Sequence, residues 1–180
     1  MERARFRIGN TDVIIHEGDI ACVPADAMIT AINSGGLWWG GIDDVIQRAA
    51  GEMFHRQAAA AMPLAEGRVV QARKTGPHNG SWGDVLFIVD EFQHPLSWIV
   101  ERVLRTASQE GYTSVSLPAI RTGVMLGKVE PDARTAVDQI GLGLRNFLVG
   151  RNTSLRTIHF VIYANPEVLR LMIGGQIAQI

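Results

Sequence analysis

One stretch of the chain decides the fold class. Residues 26–51 read DAMITAINSGGLWWGGIDDVIQRAAG. The apolar run that ends at Ile32 is typical of a strand buried on both faces of a sheet. After a glycine-rich loop, apolar residues recur at helical spacing from Ile42 to Ala49, and Gly51 is typical of the residue that follows a helix. The stretch therefore predicts one strand, loop and helix unit.

The same alternation of strand and helix patterns extends along the rest of the chain. It predicts strands at residues 3–8, 12–16, 26–32, 68–73, 85–89, 114–117 and 157–163, and helices at residues 42–49, 52–62, 96–110, 131–148 and 166–173. Residues 76–83 are predicted as a polar loop, and Pro131 as a first-turn helix residue. Alternation of this kind implies an α/β fold, with helices on both faces of a mostly parallel sheet. Residues 1–180 are interpreted as a single domain.

Composition excludes several classes of function. The 180 residues carry a net charge of -1, so no global field favours nucleic acid or an anionic membrane. The single cysteine, Cys22, excludes an intrachain disulfide and is interpreted as a buried packing thiol. The five histidines lack the spacing of metal ligands, so neither a metal nor a cofactor is expected. With no signal peptide pattern and no long apolar run, the chain is expected to be cytoplasmic.

Candidate binding residues follow the strands, where the ligand crevice of an open α/β sheet lies. Asp19, in Gly18-Asp19-Ile20, could accept a hydrogen bond from an amine or hydroxyl of a ligand. Its alternative role is that of a helix N-cap. Tyr163 follows the last predicted strand and offers an aromatic face for a base, or else simply ends the core.

Two glycine-containing loops precede predicted helices. The first runs from Asn33 through Gly40 and Gly41, and the second covers residues 119–128. Backbone N–H groups in such loops can approach a phosphate, and the two loops together could hold a diphosphate from both sides. They could equally be ordinary turns between a strand and a helix. An acid, an amide, two glycine loops and an aromatic residue at the strand ends of one sheet fit a nucleoside diphosphate.

These residues together resemble the macrodomain family, the ADP-ribose-binding module with a three-layer α/β/α sandwich. Four segments match the family pattern in order: Gly18-Asp19-Ile20, Met28 to Asn33, Gly40 to Gly51 and Leu117 to Val124. The resemblance implies a mixed, mostly parallel central sheet and ADP-ribose or an ADP-ribosylated substrate as the partner. It gives no oligomeric state.

The resemblance also implies a role for each matching residue. Asp19 and Ile20 would bind adenine, with Tyr163 stacked on the base. The diphosphate would contact Gly40, Gly41, Ile42, Thr122, Gly123, Val124 and Met125. Asn33 and Asp43 would lie at the distal ribose as catalytic residues. The reaction implied is attack of water on the distal ribose or its ester substituent.

The chain departs from the family pattern at several positions. Thr30 stands for an Asn, Gln47 for a His and Arg121 for a small Ser. Arg121 could add a phosphate contact or be a solvated surface charge. Met125-Leu126 and Trp38-Trp39 also replace the family's usual residues. The functional alternatives are therefore a hydrolase of ADP-ribosyl linkages, a non-catalytic reader of ADP-ribose, and a scaffold that uses the tryptophan pair.

Overall fold

The computed structural model describes residues 1–36, 40–149 and 152–175. Its strands are β1 (Glu2–Ile8), β2 (Thr11–Glu17), β3 (Ala25–Ile32), β4 (Val69–Ala72), β5 (Trp82–Val89), β6 (Ser114–Pro118) and β7 (Thr157–Ile162). Its α-helices are α1 (Ile42–Ala50), α2 (His55–Ala60), α3 (Leu96–Gln109), α4 (Ala133–Leu148) and α5 (Pro166–Gly174). A short 3₁₀ helix covers Ile20–Cys22. The predicted order of strands and helices is confirmed.

The seven strands form one mixed sheet in the order β1-β2-β7-β6-β3-β5-β4. The five central strands are parallel, whereas β1 and β4 pair antiparallel at the two edges. Helical crossovers join the parallel strands, so their carboxyl ends meet at one edge of the sheet. The three-layer sandwich with a mostly parallel sheet is confirmed.

Each face of the sheet has its own apolar core. One core packs α3, α4 and α5 against the sheet, and it contains the buried side chains of Ile29 and Ile158. The other packs α1, α2 and the 3₁₀ helix against the opposite face, where Met28 is buried. Met28 and Ile29 are adjacent in β3, so they point to opposite faces as the strand period of two requires. The continuous apolar run in this strand is explained by burial on both sides.

Several predicted boundaries are wrong. α2 begins at His55 rather than at residue 52, because Gly51 has φ +58° and the chain turns before the next helix starts. Trp82 belongs to β5 rather than to the polar loop, since it pairs with Ala25 of β3. Pro131 lies before α4 rather than in its first turn. Asp132 is the N-cap there, and its side chain accepts a hydrogen bond from the Thr135 N–H.

None of the described helices is both long enough and apolar enough to cross a membrane.

Candidate ligand-binding site

Two adjoining cavities lie beyond the carboxyl ends of the parallel strands. The first, of about 420 Å³, we call the Asn33 cavity. The second, of about 520 Å³, we call the Tyr163 cavity. Residues that line both are Gly41, Ile42, Pro118, Ala119 and Gly123. The two cavities therefore meet between the start of α1 and the loop after β6.

Every residue that the sequence pointed to lines at least one of these cavities. The Asn33 cavity contains Asn33, Gly40, Gly41, Ile42, Asp43, Arg121, Gly123, Val124 and Met125. The Tyr163 cavity contains Asp19, Ile20, Gly41, Ile42, Thr122, Gly123 and Tyr163. The structure thus brings the residues into one region, while their individual roles stay predictions.

The Tyr163 cavity combines an acid with an exposed aromatic ring. Asp19 is exposed, and its Oδ1 accepts a hydrogen bond of 2.8 Å from the Ala21 N–H as N-cap of the 3₁₀ helix. The N-cap alternative is therefore confirmed, and the other carboxylate oxygen leaves room for a ligand role as well. Tyr163 is 76% exposed, so the alternative that it merely ends the core is wrong.

Two glycines lie at the junction of the cavities, beside Ile42, Pro118 and Ala119. Gly41 is the N-cap of α1 and has φ +62°, a conformation that favours glycine. A Cβ added at Gly123 would meet no atom within 4 Å, and Gly123 has no positive φ. The two glycines therefore differ. Gly41 is needed for the backbone geometry, whereas Gly123 leaves space that the protein itself does not require.

A hydrogen bond to a buried histidine holds the acid of the Asn33 cavity. Asp43 Oδ1 lies 3.0 Å from Nε2 of His55, whose side chain is fully buried. A carboxylate can only accept, so the His55 Nε2 carries the proton of this bond. Asn33 Oδ1 accepts a hydrogen bond of 3.0 Å from the Gly35 N–H, which orients its amide at the end of β3.

Both alternatives for Arg121 are wrong. Its side chain is buried, with Nε and Nη2 bonded to Asp90 at 2.8 and 2.7 Å. Nη1 bonds to Glu130 at 2.9 Å, and Nη2 also donates to the His94 carbonyl. Every guanidinium nitrogen is thus engaged by protein oxygens, which leaves Arg121 neither solvated nor directed at a phosphate. Burial lowers the pKa of Arg121, but the hydrogen bonds and negative charges of Asp90 and Glu130 together outweigh it, so the pKa is raised overall.

Thr122 connects the loop after β6 to α5. Its hydroxyl donates to the Ala119 carbonyl at 2.6 Å, so its side chain shapes the loop. Its own carbonyl accepts from the Asn165 amide at 3.5 Å. Asn165 is in turn the N-cap of α5.

Several lining residues were not predicted from the sequence. The Asn33 cavity is also lined by Asp90, Glu91 and Phe92 after β5, and the Tyr163 cavity by Asp44, Arg48 and Asn165. The strand ending at Val89 was itself predicted, so the same rule that pointed to other strand ends could have found Asp90 and Glu91. Nothing in the sequence marked His55 as the partner of Asp43.

Cys22 and two histidines lie apart from these cavities. Cys22 is exposed, so its interpretation as a buried thiol is wrong. It lines a smaller cavity of about 180 Å³ together with His16 and His159. The two rings contact each other, with 2.9 Å between His16 Nε2 and His159 Nδ1. Burial, aided by His16, lowers the pKa of His159 to about 4. The part of the chain that the structure describes holds no group of three metal-ligating side chains.

The chain is 30% identical to a macro domain-containing protein of Streptomyces coelicolor over 164 residues, which cover 85% of this chain and 92% of that one. It belongs to the macrodomain family. No protein-family model matches the chain.

Other known proteins match the chain over most of its length. An O-acetyl-ADP-ribose deacetylase of Citrobacter rodentium is 28% identical over 179 residues, or 90% of this chain and 93% of that one. The Trypanosoma brucei macrodomain in complex with ADP-ribose superposes with a TM-score of 0.75 at 21% identity, over 89% of this chain and 67% of that one. The Oceanobacillus iheyensis macrodomain with ADP gives a TM-score of 0.71 at 20% identity, over 94% of this chain and 92% of that one. These solved structures support the macrodomain fold assigned to the chain.

Proposed function

We propose that this macrodomain binds ADP-ribose across its two cavities and hydrolyses ADP-ribosyl linkages at the distal ribose. The single observation that carries the proposal is the pair of cavities that meet at Gly41 and Gly123. An ADP-ribose molecule has an adenosine at one end and a ribose at the other, joined by a diphosphate, and two cavities that meet at a shared junction match that arrangement. The trypanosomal relative in complex with ADP-ribose supports the same ligand class.

The adenosine end is assigned to the Tyr163 cavity. Asp19 offers a carboxylate oxygen to the adenine amino group, and the exposed Tyr163 ring offers a stacking face. Ile20 is buried beside them and presents an apolar edge. In the Asn33 cavity, by contrast, the Phe92 ring is only partly exposed and lies 5.4 Å from the Arg121 Cζ, and the Asp43 carboxylate is paired with His55.

The diphosphate is assigned to the junction. The Asp43 N–H at the start of α1 donates to the Gly40 carbonyl at 3.3 Å, and the positive end of the helix dipole favours an anion beside this turn. Gly123 faces the junction from the other loop with open space around its Cα. The predicted contacts from Gly40, Ile42, Val124 and Met125 complete this assignment.

The distal ribose is assigned to the Asn33 cavity. A water molecule that enters this cavity would carry out the hydrolysis. In the ester case, the water oxygen bonds to the acyl carbon and the bond from that carbon to the ribose oxygen breaks. The proton released by the water then ends on the ribose hydroxyl. Asn33 and Asp43 orient this water, together with the substrate phosphate. The relative named as an O-acetyl-ADP-ribose deacetylase supports this class of reaction.

A non-catalytic reader of ADP-ribose is the second candidate. Two residues that differ from the family pattern concern the end of the site assigned to the distal ribose. Thr30 lines the Asn33 cavity where the family pattern has an Asn. Gln47 is directed elsewhere, with its amide 3.4 Å from Glu52, and it does not line either cavity. The scaffold alternative rests on Trp38 and Trp39, which lie outside the described residues.

Two measurements on the wild-type protein separate these candidates. Calorimetric titration with ADP-ribose, checked by competition with AMP, should show saturable binding. Release of ADP-ribose should then be followed from O-acetyl-ADP-ribose and from proteins modified on aspartate, glutamate or arginine. Binding with release supports the hydrolase, and binding without release over hours leaves the reader. Absence of binding would contradict both.

A further inference from the structure

The loop after β6 is closed at its base by its own first and last residues. Arg121 Nη1 lies 2.9 and 3.2 Å from the two carboxylate oxygens of Glu130, and we call the segment between them the 121–130 loop. Within it, the Gly127 N–H donates to the Glu130 carbonyl. Glu130 also accepts from the Leu96 N–H at the start of α3. The ends of the loop are thus fixed to each other and to a helix.

The same arginine connects this loop to the end of β5. Asp90 is buried, and it receives two hydrogen bonds from Arg121 and one of 3.1 Å from the Phe92 N–H. Arg121 and Phe92 have φ of +63° and +62°, which is unusual for residues other than glycine. The Arg121 Cζ lies 5.4 Å from the centre of the Phe92 ring. One carboxylate therefore holds two strained residues that both line the Asn33 cavity.

The buried charges of Asp90, Arg121 and Glu130 form a network that requires one particular arrangement of its side chains. Side chains of Asp90, Arg121 and Glu130 are 3%, 1% and 4% exposed, so each charge depends on its partners. The planar guanidinium bonds Asp90 in two parallel bonds, which a lysine cannot reproduce. Burying such a network adds little to stability compared with apolar packing, whereas it can select one conformation.

We propose that Arg121, held between Asp90 and Glu130, is a positioning residue that fixes the walls of the Asn33 cavity and thereby sets affinity for the distal half of ADP-ribose. This inference rests on the proposed function. The Tyr163 cavity is lined by none of the three network residues.

The test compares ligands that fill one cavity with a ligand that fills both. Arg121→Lys keeps the buried charge but removes the two parallel bonds. We expect it to raise the Kd for ADP-ribose by about tenfold or more relative to wild type. The Kd for AMP should change by less than about twofold, since AMP occupies only the Tyr163 cavity and its edge of the junction.

A second variant covers the case in which Arg121→Lys does not fold. Asp90→Asn, Arg121→Gln and Glu130→Gln combined remove all buried charge while keeping amide partners. The same loss for ADP-ribose relative to AMP is expected. The control is Ile140→Val, in the interior of α4, which lowers the melting temperature without touching either cavity. It should leave the ratio of the two affinities unchanged.

A folded network variant with an unchanged ratio would overturn the inference, as would an equal loss of both ligands. A wild-type protein whose Kd for ADP-ribose is no lower than its Kd for AMP would instead contradict the proposed function. The two failures are therefore distinguishable.

Discussion

His55 Nε2 donates to Asp43 Oδ1 across 3.0 Å, from a ring that is fully buried, and Asp43 lines the Asn33 cavity. The bond joins the first turn of α1 to the start of α2. It fixes the direction of the Asp43 carboxylate at the end of the cavity where we place the distal ribose. Turnover should therefore depend on Asp43 and on the ring that holds it.

Loss of Asn33 or Asp43 should reduce catalysis far more than binding. Asn33→Ala or Asp43→Ala is expected to cut release of ADP-ribose from O-acetyl-ADP-ribose by roughly 10²–10⁴-fold. His55→Phe keeps an aromatic ring and removes the bond to Asp43, so its loss of catalytic rate should be smaller than that of Asp43→Ala. Initial rates and calorimetric Kd values check both statements. Asp138→Asn, on α4, is the matched control, and equal rates for Asp43→Ala and wild type would exclude Asp43 from the reaction.

Recognition of the adenine base can be tested without removing the N-cap of the 3₁₀ helix. Asp19→Asn retains an oxygen that can accept from the Ala21 N–H, but its amide cannot accept from adenine through the NH₂ side. We expect ADP-ribose binding to weaken by about 1.5–3 kcal/mol with an unchanged melting temperature. Wild-type protein should prefer AMP to inosine monophosphate, which lacks the amino group. Persistence of that preference in Asp19→Asn would remove Asp19 from base recognition.

A substitution at the junction of the two cavities should abolish ADP-ribose binding without unfolding the protein. Because a side chain at Gly123 meets no protein atom, Gly123→Glu should leave the melting temperature near that of wild type. Its bulk and negative charge should abolish ADP-ribose binding. Gly174→Glu, at an exposed glycine of α5 with equally open surroundings, serves as the control and should bind normally. A Gly123→Glu protein that still binds ADP-ribose would place the diphosphate elsewhere.

His159 predicts how stability depends on pH. Its pKa is about 4 in the folded protein, against an ordinary value of 6.5, mainly because burial disfavours the charged ring. Between these values the unfolded chain binds a proton that the folded chain does not. This contribution to stability is therefore present above about pH 6.5 and is lost as the pH falls towards about 4. Melting temperatures across this range should fall less steeply in His159→Gln, and identical slopes would show that another group is responsible.

The sequence predicted the parts of the fold that local pattern determines. The run ending at Ile32 and the spacing after Ile42 are each read from neighbouring residues, and both elements formed as expected. The strand-end rule then located Asp19 and Tyr163 at one cavity. Each of these conclusions needs only the order of elements along the chain.

Contacts between side chains that are distant in the sequence could not be predicted from the order of elements. His55 binds an acid 12 residues earlier on a different helix, and no periodicity links the two. Arg121 was expected to be solvated or to contact phosphate, because burial of an arginine depends on finding Asp90 31 residues away. A pairing of that kind becomes visible only once the strands have placed both residues side by side.

ADP-ribose should lie across the two cavities in one direction, and a crystal structure of the complex would show this. We expect adenine between Asp19 and Tyr163, the diphosphate between Gly41 and Gly123, and the distal ribose in the Asn33 cavity. Adenine in the Asn33 cavity, or a ligand bound outside both cavities, would contradict it.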